Sequence, residues 1–116
     1  MLPSIALVHS VEMIRDGGSL ATIFQGSNGS EYWLFFKVRL QKRSSGETER
    51  LGFLNPVIVD RLTGNGIEIS WQHAKVFLNQ MHPFIREDRH FKWFEIMQEV
   101  VEMQGRLPPG IKRILG

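Results

Sequence analysis

The segment that decides the fold reads Tyr32-Trp33-Leu34-Phe35-Phe36-Lys37-Val38-Arg39-Leu40. Successive side chains of a strand point to opposite faces, so alternate residues of this segment share a face. One face is apolar throughout, with Tyr32, Leu34, Phe36, Val38 and Leu40. The other face carries two aromatic residues and then two cations, Trp33, Phe35, Lys37 and Arg39. Because aromatic and β-branched residues suit a half-buried pleated surface, the pattern predicts a strand whose apolar face belongs to the core.

The residues around this segment predict an antiparallel sheet. Short runs rich in Gly, Asn and Ser separate the apolar stretches, and they lie at 16–18, 26–30, 44–46 and 63–66. Such runs form tight turns because glycine takes positive φ at little cost. Pro56 cannot donate to a sheet ladder, so it interrupts the strand predicted near it or places that strand at an edge. We expect a meander of four or five strands over about residues 5–70.

The spacing of the apolar residues becomes helical after Ser70. Ser70 is the predicted N-cap of a helix over about 71–82, which a proline ends. A second helix is predicted over about 86–104, with Gly105 as its C′ residue. We expect both helices to pack on one face of the sheet, and residues 106–116 to form a short tail. The whole chain, 1–116, is then a single α+β domain.

The composition narrows the functional classes. The chain has 116 residues, no cysteine, and 14 Lys and Arg against 12 Asp and Glu. Disulfides and thiolate metal sites are therefore excluded, and the small positive charge permits an anionic partner without requiring one. Residues 2–8 are apolar but too short for a signal peptide, and no apolar run approaches the ~20 residues that cross a bilayer. We expect a cytoplasmic protein without a membrane span.

No familiar catalytic or metal-binding pattern occurs. The four histidines never fall at a His-x-x-x-His spacing, and no Gly-x-Ser-x-Gly or Gly-x-x-x-x-Gly-Lys motif is present. We therefore predict no catalytic residue, no metal ligand and no cofactor. Two carboxylates, Asp60 and Glu68, could face each other across a hairpin, although the sequence leaves their register open.

The candidate binding residues form two groups. Trp33, Phe35, Lys37 and Arg39 would make an aromatic and cationic surface if their sheet face is open. The alternative is that this chain or a second subunit covers Trp33 and Phe35. Arg86 and Arg89 share one side of the predicted second helix. They are either solvated surface residues or, together with Arg39, part of an anion-binding groove.

These observations favour a small non-catalytic protein-binding module, such as an adaptor, inhibitor or immunity-type factor. It would act through an exposed sheet face or as a homodimer. A first alternative is a nucleic-acid or anion binder that uses Trp33, Phe35, Lys37 and Arg39, although the ribonucleoprotein consensus is absent. A second alternative is an enzyme or small-ligand protein with a pocket between sheet and helices, which would draw on His73, His90 or Asp60.

Overall fold

The computed structural model describes residues 6–7, 12–14, 19–26, 28–84 and 88–111. The chain has the predicted α+β fold, in which an antiparallel sheet precedes two helices. Within the described part the elements are β1 (Ala6–Leu7), β2 (Glu12–Ile14), β3 (Ser19–Gln25), β4 (Glu31–Phe36), β5 (Val38–Lys42), β6 (Thr48–Phe53), β7 (Val57–Asp60), β8 (Gly66–Glu68), α1 (Trp71–Met81), a short 3₁₀ helix (His82–Phe84) and α2 (Asp88–Glu102).

Strand β4 lies at the centre of the main sheet. It pairs with β3 on one side and with β7 on the other, while β8 continues the sheet beyond β7. Strands β1 and β2 both pair with β3, so the main sheet has six strands among the described residues. Leu34 of β4 lies opposite Thr22 of β3 and Ile58 of β7. The turns that the sequence predicted at 26–30 and 63–66 connect these strands, and the antiparallel meander is confirmed.

The predicted strand at 32–40 is divided at Lys37. Its first part is β4, and its second part, β5, pairs with β6 in a separate two-stranded hairpin. We call this hairpin, residues 38–53, the arm. The carbonyl of Lys37 accepts a hydrogen bond from Leu54 N at 2.9 Å, where the chain returns to the main sheet. The sheet register shifts between Arg39 and Leu40.

The prediction that Leu40 belongs to the core face is wrong. Alternation predicted it on the core face, but its side chain is 46% exposed. On the same face Val38 is buried and belongs to the core cluster, as does Phe53 opposite it. The core therefore ends at the base of the arm, and alternation alone does not report where neighbouring elements stop covering a strand.

The helices begin and end close to the predicted residues. Ser70 caps α1, and its hydroxyl oxygen accepts from His73 N at 3.1 Å. Helix α1 contacts the sheet directly, since the rings of Phe24 and Phe77 lie 5.3 Å apart between centroids. The buried residues of α2 belong to the same hydrophobic cluster as Leu34 and Phe36. Among the described residues, no helix has both the length and the apolar character needed to cross a membrane.

Helix α2 ends in a Schellman motif, one residue earlier than predicted. Gln104 is the C′ residue, with φ of 53°, and its N–H donates to the carbonyl of Val101 at 3.1 Å. Gly105 N donates to the carbonyl of Val100 at 2.9 Å, which completes the motif. The tail then docks on the domain, because Ile111 is fully buried in the core cluster. Residues 112–116 lie outside the described part.

Candidate functional site

The two faces of β4 have different environments. Leu34 and Phe36 are completely buried in the cluster that includes the helices. Their neighbours Trp33 and Phe35 therefore point to the opposite side of the sheet. The strand register extends this side to β3 and β7. We call it the outer face and define it by two rows, Ala21, Phe35 and Val57, and Ile23, Trp33 and Val59.

The outer face is apolar and only partly covered. Trp33, Phe35, Val57 and Val59 are half-buried, whereas both residues of the face on β3, Ala21 and Ile23, are buried. The large side chains on β4 and β7 thus keep part of their surface accessible. The sequence predicted this face for Trp33 and Phe35, but the valines became neighbours only through the pairing of β7 with β4. An apolar surface of this kind, on a strand that is paired on both sides, is suited to contact another apolar surface.

Arg61 holds one end of the outer face, and sequence reasoning missed it. Its guanidinium forms an ion pair with Glu31 and lies over the indole of Trp33, with Cζ 5.6 Å from the ring centroid. Its backbone N–H also donates to the carbonyl of Glu31 at 3.1 Å. Arg61 follows Val59 by two residues, so the two belong to the same face of an extended chain. This spacing indicates a contact with Trp33 only once Val59 is known to pair with Trp33.

Lys37 follows the last residue of β4, and Arg39 lies in β5 of the arm. Both side chains are exposed, and neither forms an ion pair with another described residue. Farther along the arm, Arg43 Nη2 lies 2.9 Å from Glu49 Oε1. The hydrogen bond and the charge of Arg43 lower the pKa of the Glu49 carboxyl. Two exposed cations therefore follow β4 at the end opposite to Glu31.

The second predicted group lies largely outside the described residues. Arg86 is not described, and Arg89 is described only as part of the backbone of α2. Lys92, one turn farther along, is exposed. The predicted anion-binding groove between these cations and Arg39 remains a prediction.

The carboxylates considered for catalysis are separate. Asp60 Oδ1 accepts from Leu62 N at 2.8 Å and from Thr63 N at 3.2 Å, so it stabilises the turn after β7. Glu68 lies opposite Val57 and accepts from Asn55 Nδ2 at 2.9 Å. These contacts stabilise turns and strand ends, and they do not form a pair for acid–base chemistry.

Two of the open surface grooves are lined by described residues. One, of about 590 Å³, lies at the turns that flank β4 and β7 and includes Glu31, Asp60 and Arg61. The other, of about 490 Å³, lies along the acidic side of α2 and includes Glu95 and Glu99. No group of three His, Asp or Glu side chains with metal-binding geometry occurs within the described ranges.

His73 does not line either of these two grooves. His73 is an exposed residue in the first turn of α1, where its backbone N–H completes the helix cap. The side chain of His90 lies outside the described part. The chain matches no protein-family model, no curated protein and no solved structure.

Proposed function

We propose that this chain is a small non-catalytic protein-binding module whose binding surface is the outer face of the sheet. The observation that carries the proposal is the half-buried pair Trp33 and Phe35 at the centre of that face. Adaptors, inhibitors and immunity-type factors are the classes of protein that work in this way. A cytoplasmic site of action belongs to the proposal, and a chain without cysteine is compatible with a reducing compartment.

The composition of the face supports a protein partner. Tryptophan and arginine are enriched among the residues that dominate binding energy, and they act best when neighbouring residues exclude water. Here Val57 and Val59 flank the two aromatic residues, Arg61 lies over the Trp33 ring, and the exposed Lys37 follows the end of β4. Pairing of β4 on both sides holds the backbone of the aromatic residues in place before binding, which lowers the entropic cost of association.

A nucleic-acid partner would use the same residues differently. Bases stack on free aromatic faces, and phosphates pair with accessible cations. Lys37 and Arg39 offer such cations, but the guanidinium of Arg61 already lies over the Trp33 ring. A base that stacks on that side would first have to displace Arg61 from both Trp33 and Glu31. This arrangement favours the protein-binding proposal.

Site-specific photo-cross-linking tests the proposal. A photoreactive phenylalanine analogue replaces Phe35 in one sample and His73, which is exposed in α1 on the helix side, in a matched control. After irradiation in intact cells, we expect protein adducts at position 35 in clear excess over position 73. Equal adduct levels at both positions, or adducts to nucleic acid at position 35, would refute the proposal.

A titration of the purified chain with a mixed-sequence single-stranded oligonucleotide separates the two kinds of partner. The protein-binding proposal predicts unchanged tryptophan fluorescence at low and at moderate salt. Saturable quenching that weakens with salt and is lost in Trp33→Ala would instead support nucleic-acid binding.

A further inference from the structure

The arm carries the net charge of the whole chain. It contains four of the 14 Lys and Arg side chains and two of the 12 Asp and Glu side chains, so the remaining residues hold ten charges of each sign. The cations of the arm are Arg39, Lys42, Arg43 and Arg50, and its acids are Glu47 and Glu49. The formal charge of +2 is therefore that of the arm alone.

Most of the arm lies outside the packed part of the domain. Residues 39–48 are all exposed, and β5 and β6 form a two-stranded sheet of their own. A two-stranded hairpin that buries little apolar surface is only marginally stable and adds little to the stability of a fold. The exposed part of the arm is therefore better suited to contact with a partner than to holding the core together.

The arm has its shape before any partner binds. At its base Val38 and Phe53 belong to the core cluster, and Phe53 N donates to the carbonyl of Gly105 at 2.7 Å. At its tip Arg43 N donates to the carbonyl of Glu47, also at 2.7 Å. A ribbon that is already formed loses less conformational entropy on binding.

Two cations of the arm are available to an anionic partner. Arg39 and Lys42 are exposed, and within the described part of the chain neither takes part in an ion pair, whereas Arg43 is paired with Glu49. Because Arg39 and Lys42 are three residues apart in β5, they belong to opposite faces of the ribbon. The arm therefore presents a positive charge on each of its faces.

We infer that the arm binds double-stranded DNA by entering a groove, where Arg39 and Lys42 pair with phosphates. The major groove of B-DNA is about 12 Å wide and accepts a two-stranded β-ribbon. Phosphates line both walls of the groove, so cations on both faces of a ribbon find partners there, whereas a flat acidic surface would meet only one face. Three exposed polar side chains of the arm add hydrogen-bond donors for phosphates and base edges, namely Gln41, Ser44 and Ser45.

This DNA site is separate from the outer face of the sheet and does not depend on the proposed function. The arm contains no tryptophan, so a duplex bound there does not need to stack on Trp33. Trp33→Ala should therefore keep its affinity for duplex DNA. The outer face remains free to bind a protein at the same time.

The anisotropy of a fluorescein-labelled, mixed-sequence DNA duplex tests the inference on the full chain. Wild-type protein should bind the duplex, and its affinity should fall as the salt concentration rises. Arg39→Gln/Lys42→Gln should weaken binding about tenfold or more at low salt, because two phosphate contacts are lost. The slope of log Kd against log salt should then decrease by roughly 2, since each phosphate contact contributes about 0.9.

Two further variants control for net charge and for folding. Lys92→Gln/Arg106→Gln removes one lysine and one arginine from exposed positions outside the arm, and it should bind the duplex within about twofold of wild type. Arg39→Lys/Lys42→Arg keeps both charges on the arm and should bind like wild type. Circular dichroism confirms that each variant is folded before its affinity is compared.

Several outcomes would overturn DNA binding by the arm. These are a wild-type chain that does not bind the duplex at low salt, an equal loss of affinity in Lys92→Gln/Arg106→Gln, and tighter binding to a single strand than to the duplex. Binding to phosphatidylserine vesicles without binding to the duplex would also overturn it. Cross-linking at position 35 judges the protein-binding proposal separately, because Phe35 lies on the outer face and not on the arm.

Discussion

Replacing Gly105 by alanine should destabilise the protein strongly, because this residue joins the end of α2 to the base of the arm. Its carbonyl accepts a hydrogen bond from Phe53 N at 2.7 Å. Its φ is 92°, in the region that L-residues avoid. An added Cβ would lie 2.7 Å from Cζ2 of Trp71 and 2.8 Å from the carbonyl oxygen of Phe53. Both neighbours belong to packed parts of the domain.

Two free-energy costs determine how strongly Gly105→Ala destabilises the folded state. A non-glycine residue at positive φ costs about 1–2 kcal/mol. Forcing an extra methyl group into a packed site costs about 1–3 kcal/mol more. The free energy of unfolding should therefore fall by roughly 2–5 kcal/mol in Gly105→Ala, against about 5–15 kcal/mol for a typical domain. At about 4 °C for each kcal/mol, the Tm should fall by roughly 8–20 °C.

Two other glycines serve as controls that separate the cost of packing from the cost of the backbone conformation. Gly29 and Gly46 have φ of 84° and 90°, but an added Cβ at either position would meet nothing within 4 Å. Gly29→Ala and Gly46→Ala should therefore lose only the conformational term, about 1–2 kcal/mol. Urea denaturation followed by circular dichroism measures all three variants against wild type. The reasoning is refuted if Gly105→Ala is no less stable than these two controls.

Three further predictions concern single residues. Ser70→Ala should lower the free energy of unfolding by about 1 kcal/mol in urea denaturation, because α1 loses its N-cap. Ile111→Ala should lower it by about 2–5 kcal/mol, since the buried side chain leaves a cavity, and an effect within error would show that the tail does not dock. Because Arg43 lowers the pKa of Glu49, the ionised Glu49 side chain stabilises the folded state at pH values above the ordinary glutamate pKa. This stabilisation is lost as the pH falls through the lowered pKa of Glu49. NMR titration should show the pKa of Glu49 rising in Arg43→Gln.

Local patterns were sufficient to predict most of the fold. The alternation in 34–38 reports burial correctly because Leu34, Phe36 and Val38 belong to the core cluster that also includes buried residues of both helices. Ser70 and the residues around Gly105 mark helix ends through hydrogen bonds to nearby backbone groups, which depend only on adjacent sequence. Such signals need no knowledge of distant contacts.

Features that depend on register or on distant coverage could not be predicted in this way. Leu40 continues the apolar alternation, but it lies in the separate two-stranded sheet, and its side chain is largely exposed. Arg61 approaches Trp33 only because β7 pairs with β4 in one particular register. A shift of one residue would have moved Arg61 to the other side of the sheet. The sequence therefore predicted the face of one strand, with Trp33 and Phe35. The pairing of β7 with β4 added the neighbouring residues of the candidate site.

The two faces of β4 differ in burial, and this difference allows the functional proposal to be tested with variants that keep the fold. Leu34 and Phe36 are completely buried, so truncating them would remove core contacts and create cavities. Trp33 and Phe35 are half-buried, and they already keep part of their surface in water in the isolated chain. Truncating them therefore sacrifices less folding energy, whereas a partner that covers the outer face would lose its central contacts. Binding that falls more steeply than stability in Trp33→Ala and Phe35→Ala is the signature of a recognition surface, and a purely structural pair would show the reverse.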